Sequence, residues 1–173
     1  MNTMLQRPEY LHVILNHLPV VGLGVSTVAL LIAVLVKSRG ATVGCLVLVA
    51  VMAASVWAVI ETGESAYNRI RAVADPAGVT LLKRHMTLAG NWAWVFYATS
   101  LSAAAALLIS WKRPRLTNIS AVVVIGLSLL SVAAGVAIAQ LGGEVRHPEF
   151  RPATNIIPAD IPTEHEHENG HEH

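Results

Sequence analysis

The stretch HVILNHLPVVGLGVSTVALLIAVLV, residues 12–36, decides how the chain is to be read. From Val20 to Val36 it carries no charge, and roughly 20 consecutive apolar residues are what an α-helix needs to cross the hydrocarbon of a bilayer. Its head is polar: His12, Asn16 and His17 stand where such a helix would begin. The run is longer than the ~7–15 residue core of a signal peptide and lacks a small-x-small cleavage site before the charged turn, so it is expected to remain in the mature protein.

Three further segments of the same kind follow, at about 41–61, 86–111 and 117–141, so that with 10–36 the spans consume most of the 173 residues. The composition agrees, with 54% hydrophobic residues, 13% charged and a mean hydropathy of +0.55, against about 25% charged for soluble domains. The fold class expected is all-α: an integral membrane four-helix bundle of two αα-hairpins, residues 1–147, with a flexible tail, 148–173. A net charge of +1 gives no case for nucleic acid. The single cysteine, Cys45, rules out an intrachain disulfide and a thiolate metal cluster. No nucleotide loop, nucleophile triad or zinc-protease motif is present.

The connections set the topology. KSRG (37–40) and WKRPRLTN (111–118) are short, basic and free of acids, and each predicts a tight helical hairpin, with Pro114 helping to stop the third helix. The longer link, residues 61–85, places Ala66, Tyr67, Ile70 and Val73 at helical spacing and predicts a short amphipathic helix at the interface. DPAG (75–78) turns the chain, and Val79–Arg84 begins the third helix before it enters the bilayer. Gly142 and Gly143 are expected to close the fourth. The density of Lys and Arg in the two short turns places them in the cytoplasm and both termini outside, with Trp111 as an interface anchor.

With four spans, the polar ends share one side of the membrane. His12, Asn16 and His17 head the first helix, Glu61 and Glu64 follow the second, Arg84 and His85 head the third, and Gln140, Glu144 and His147 follow the fourth. A faint repeat runs through the two halves, from His17 through KSRG to TGE (62–64) and from His85 through WKRPR to GGE (142–144). Helix four also carries Ser131, Gly135, Ala139 and Gly143 at four-residue steps, a stripe that admits a neighbouring backbone.

The depth of His17, about 10 Å along the axis from Tyr10, demands a partner for its imidazole. His12 lies about 140° around the helix from His17, so the two cannot easily grip one small ion. Three readings compete. His17 and His85 could be axial ligands of a haem b between helices one and three, with Arg69, Arg84 or Arg146 near its propionates and His12 and His147 serving a second haem or the surface. The cluster could bind copper or zinc with Glu61, Glu64 or Glu144. Or the histidines could hydrogen-bond to Asn16, Gln140 or the carboxylates and simply hold the bundle end together, with Pro19 kinking helix one. Separately, EHEHENGHEH (164–173) offers His165, His167, His171 and His173 among glutamates, a tract suited to copper, zinc or nickel or to remaining a solvated end.

LHVILNHLPVVG (11–22), the Thr-Gly close of helix two, His85 and AQLGGEVRH (139–147) together resemble a bacterial four-helix membrane family of unknown function that is sometimes joined to Rieske iron-sulfur domains. The resemblance spans residues 10–147 and matches His12, His17, His85, Gly142, Gly143 and His147. It departs at Val13, where the family often has proline, at Leu18 in place of an aromatic residue, and at EVR after the glycine pair. It implies redox or haem chemistry in a bacterial inner membrane. The function expected is a haem b module passing electrons between the quinone pool and an extracytoplasmic redox partner. The alternative is a copper- or zinc-handling or assembly subunit of a larger membrane complex.

Overall fold

The computed structural model describes residues 6–152. It contains four long helices joined as two hairpins. The first helix is α1 (Pro8–Leu15), a π-helical turn (Leu18–Gly22) and α2 (Leu23–Leu35); the second is α3 (Arg39–Ala54) followed by α4 (Val56–Val73). The third is unbroken α5 (Pro76–Lys112), and the fourth is α6 (Thr117–Arg146), introduced by a 3₁₀ turn at Pro114–Leu116. All four are long and apolar enough to cross a membrane, at 28, 35, 37 and 33 residues with that 3₁₀ turn included in the fourth.

Each boundary has a local cause. Pro19 brings no N–H to the backbone ladder, and the helix absorbs the loss by widening into a π turn in which Pro19 is buried. The first hairpin turns at Lys37, whose φ of 54° is left-handed, and the Ser38 N–H reaches back to the Ala33 carbonyl at 3.1 Å, a Schellman-type closure made without glycine. Ser38 then caps α3 through its hydroxyl, which accepts from the Ala41 N–H. In the second hairpin α5 stops at Lys112 because Arg113 precedes proline and is held extended (φ −138°, ψ 74°).

Two expectations need correction. Residues 61–73 are helical, but they continue the second helix rather than form a separate interfacial one: after the single joint at Ser55 nothing interrupts the ladder, and Thr62 and Ser65 bond back to the carbonyls of Ala58 and Glu61. The Gly142–Gly143 pair does not end the fourth helix, which runs on to Arg146 and stops only at His147, again a residue before proline. The first residues of the expected tail form a 3₁₀ turn at Pro148–Phe150. Residues 153–173, the rest of that tail, lie outside the described residues, as do His165, His167, His171 and His173 and any copper or zinc site there.

The helices surround a core of Leu23, Leu30, Leu46, Val49, Phe96 and Val124, with alanines between them. Several polar side chains inside it are satisfied: Thr27, Thr99 and Ser110 donate to carbonyls one turn back, and the Thr99 and Ser131 hydroxyls lie 2.8 Å apart across helices three and four, whereas the buried Ser128 hydroxyl has no partner among the described residues. The stripe on helix four works as expected at Gly135, where an added Cβ would meet Val20 and Phe96 at 3.2 and 3.4 Å. It does not extend to Gly143, which faces open space. A second, smaller cluster of Leu81, Leu82 and Val145, joined by Tyr67, Ile70 and Leu141, ties α4, α5 and α6 together at the outer end.

Just beyond that cluster, Arg151 clasps the end of α6 to the turn before α5. Its guanidinium donates to both Asp75 carboxylate oxygens at 2.7 and 3.1 Å and to the carbonyls of Glu144 and Val145. Gly78 makes the approach feasible, since a Cβ there would lie 2.9 Å from the Val145 carbonyl oxygen and 2.6 Å from Asp75 Oδ1. The Arg151 hydrogen bond, and after it the Gly78 N–H, hold the Asp75 carboxyl below its ordinary value of 3.8. A carboxyl depressed in the folded state stabilises the fold at pH values above its ordinary one, and the contribution is lost as pH falls through the depressed value. Amide protection of residues 147–152 in detergent should therefore persist at pH 5 and fade only below pH 3.8, while Asp75→Asn should lose it across the range. Protection unchanged by Asp75→Asn would show that the clasp does not hold this segment.

Candidate functional site

Of the four histidines described, two face each other. His12 of α1 and His85 of α5 have ring centroids 6.3 Å apart and planes inclined at 84°. His12 Nδ1 is 2.9 Å from the Val59 carbonyl oxygen on α4, and His85 Nδ1 is 2.9 Å from the Ile138 carbonyl oxygen on α6. A carbonyl only accepts, so each Nδ1 must carry its proton and donate. In the neutral ring that leaves the lone pair on Nε2, which has no hydrogen-bond partner among the described residues.

Each carbonyl is reachable for the same reason. A helical side chain lies over the turn N-terminal to its own Cα, so the residue four positions on normally covers a carbonyl's outer face. Here those residues are Gly63 and Gly142. A Cβ at Gly63 would lie 3.0 Å from the His12 ring, and one at Gly142 would lie 3.1 Å from the His85 ring. Both hairpins thus contain one device: a histidine on the first helix, a carbonyl on the second, and a glycine one turn later. The internal repeat is real in this sense, but its register runs through His12 and Gly142 rather than His17 and Gly143.

The other predicted site residues lie elsewhere. His17, five residues along from His12, donates from Nδ1 to the Val13 carbonyl of its own helix at 2.8 Å and is exposed. The expected His17–His85 pairing is therefore replaced by His12–His85: helical rotation turns His17 off the side that His12 presents to helix two. His147 sits 2.9 Å from the Glu149 carboxylate and stacks on Phe150. Arg84 is exposed, and Arg69 pairs with Glu9 at 3.4 Å. Of the cluster's histidines only His147 pairs with a carboxylate; His12, His17 and His85 use backbone carbonyls instead of Asn16 or Gln140. Among the described residues no three His, Cys, Asp or Glu side chains gather as a metal site.

The surroundings of the pair differ from the rest of the bundle. Across residues 8–18, 57–65, 83–94 and 136–143, one stretch from each helix, no residue is fully buried. This layer separates the main core, which ends at Leu23, Val56 and Phe96, from the outer cluster of Leu81, Leu82 and Val145. Its half-buried members include Leu15, Met86, Leu88, Trp92 and Ile138, an apolar set. Within it α1 packs along α4 rather than against α5 or α6, so His12 and His85 approach from separate hairpins. Compared with protein-family models, curated proteins and solved structures, the chain matches none of them.

Proposed function

We propose that the protein is a membrane haem b module in which His12 and His85 are the axial ligands. The observation that carries this is the facing pair itself, set in a layer where no side chain is fully buried. A metal–imidazole bond of about 2.0 Å and an imidazole radius of about 1.1 Å, counted on both sides, give ring centroids about 6.2 Å apart. The 6.3 Å between the two ring centroids fits that spacing. The donor set fits as well: neutral imidazoles suit iron, and each ring has its proton fixed on Nδ1 by a carbonyl, which orients Nε2 and raises its basicity. Two protein ligands are too few for a structural zinc ion, which takes four, whereas a macrocycle supplies the remaining four positions itself. The half-buried apolar layer suits a flat apolar ring better than a bare ion.

When bound, haem would supply one-electron transfer, and His12 and His85 together would hold it through two imidazoles, a ligand set that favours electron transfer over oxygen chemistry. The chain's own part is to bring two imidazoles with Nδ1 tied to carbonyls together from separate hairpins, and to pack an apolar cluster beside them. His85 lies 26 residues from Trp111 and His12 lies 24 from Val36, or about 39 and 36 Å at 1.5 Å per residue. Against a hydrocarbon thickness of about 30 Å, the pair stands near the face opposite the basic turns. With those turns cytoplasmic, the site opens to an extracytoplasmic redox partner on one side and to quinone in the bilayer on the other.

The test is the visible spectrum of protein purified after haem-replete expression. A sharp Soret band with reduced α and β bands at one haem per chain is expected. A colourless protein carrying copper or zinc by elemental analysis would move the pair to metal handling, and one carrying neither would leave it as a structural clamp.

A further inference from the structure

We infer that the groove between helices three and four at the basic end is a binding site for one anionic glycerophospholipid. The groove, of about 350 Å³, is lined by Ser102, Ala105, Ala106 and Ile109 on α5 and by Ile119 and Val123 on the facing side of α6. It exists because small side chains thin the wall where larger ones would close it. From Leu116 to Val123 it descends about 10 Å, seven residues at 1.5 Å each. Leu116 also lines the adjoining hollow formed by Arg113, Pro114 and Arg115, so the apolar groove and the basic turn make one continuous surface.

The charge at the mouth selects the occupant. Lys112, Arg113 and Arg115 are exposed, and the turn has no acidic residue to neutralise them. An acyl chain in the groove would place a phosphate at these guanidinium groups, where basic residues next to a spanning helix attract anionic headgroups. A quinone has an apolar tail but no charge to meet the arginines, and here it would lie a full span away from the histidine pair. In the other basic turn Arg39, though exposed, already donates to the Ser110 carbonyl at 2.8 Å. This site stands independently of the haem reading.

The experiment is native mass spectrometry of the full chain released from nanodiscs made of equal phosphatidylglycerol and phosphatidylcholine. One phosphatidylglycerol per chain is expected, retained about tenfold over phosphatidylcholine. The double variant R113Q/R115Q should bring the ratio close to one, Lys37→Gln should leave it unchanged, and Ala105→Trp, which fills the groove, should lower retention of both lipids. Equal retention by the unaltered chain overturns the site, as does a preference that survives R113Q/R115Q or falls equally with Lys37→Gln. Dimers that Ala105→Trp splits would also overturn it, by showing a second copy in the groove.

Discussion

Replacing His12 or His85 with alanine should remove the haem, or leave a high-spin five-coordinate form at less than about a tenth of the occupancy, because one imidazole cannot fill both axial positions. His17→Ala should leave the low-spin spectrum intact, since that ring bonds only to the Val13 carbonyl of its own helix. The two effective variants should look alike, because the two halves of the site are built alike. The near-perpendicular ring planes add a second signature: imidazoles crossed at 84° leave two iron d orbitals nearly equal in energy, so the ferric protein should give a strongly anisotropic low-spin EPR signal. Loss of haem in His17→Ala with retention in His12→Ala would reverse the assignment.

The second large effect belongs to the glycines. A Cβ at position 63 or 142 already falls at 3.0 or 3.1 Å from an imidazole carbon, tighter than ordinary packing contact, and a branched side chain must displace the ring. Gly63→Val and Gly142→Val are each expected to forfeit the Nδ1–carbonyl hydrogen bond, worth about 0.5–1.5 kcal/mol, and to add about 1–3 kcal/mol of overpacking. Together these lower haem retention by at least about tenfold, since 1.4 kcal/mol is one decade. Gly143→Val is the control, because nothing lies within 4 Å of a Cβ built there. It should fold and keep its haem, with stability unchanged or raised by about a few tenths of a kcal/mol, because valine has a higher helix propensity than glycine. Equal behaviour of Gly142→Val and Gly143→Val, in titrations of haem into the stripped protein, would sink this account of the glycines.

These two experiments separate pairing from packing. If the histidine variants lose haem while the glycine variants do not, the ligands are right and the carbonyl-and-glycine device is dispensable. If both histidine variants keep a native spectrum, His12–His85 is a structural contact, and the glycines serve only to let the hairpins form.

By itself the sequence determined the secondary structure and the number of long helices, because both follow from local and additive properties. An uncharged run of about 20 residues is helical wherever its backbone must satisfy itself. KSRG and WKRPR mark turns through chain chemistry that does not depend on what packs beside them. It also showed that histidines would gather at the end away from the basic turns, since counting spans settles which helix ends share a side. It missed where two helices stop. Gly142 and Gly143 have the form of a helix end, and only the ring of His85 against Gly142 shows that the first of them serves a contact instead.

Only the tertiary structure decided which histidines meet. His12 and His17 are both near the start of helix one, and sequence spacing shows that they point apart but not which of them faces the other hairpin. Depth in the bilayer favoured His17, yet that ring satisfies itself on its own helix, an option spacing could not weigh. The choice of His12 rests on Val59 and Gly63, 47 and 51 residues away, just as that of His85 rests on Ile138 and Gly142. A carbonyl left uncovered by a glycine is a property of two helices in contact, and it comes into being only when the hairpins pack.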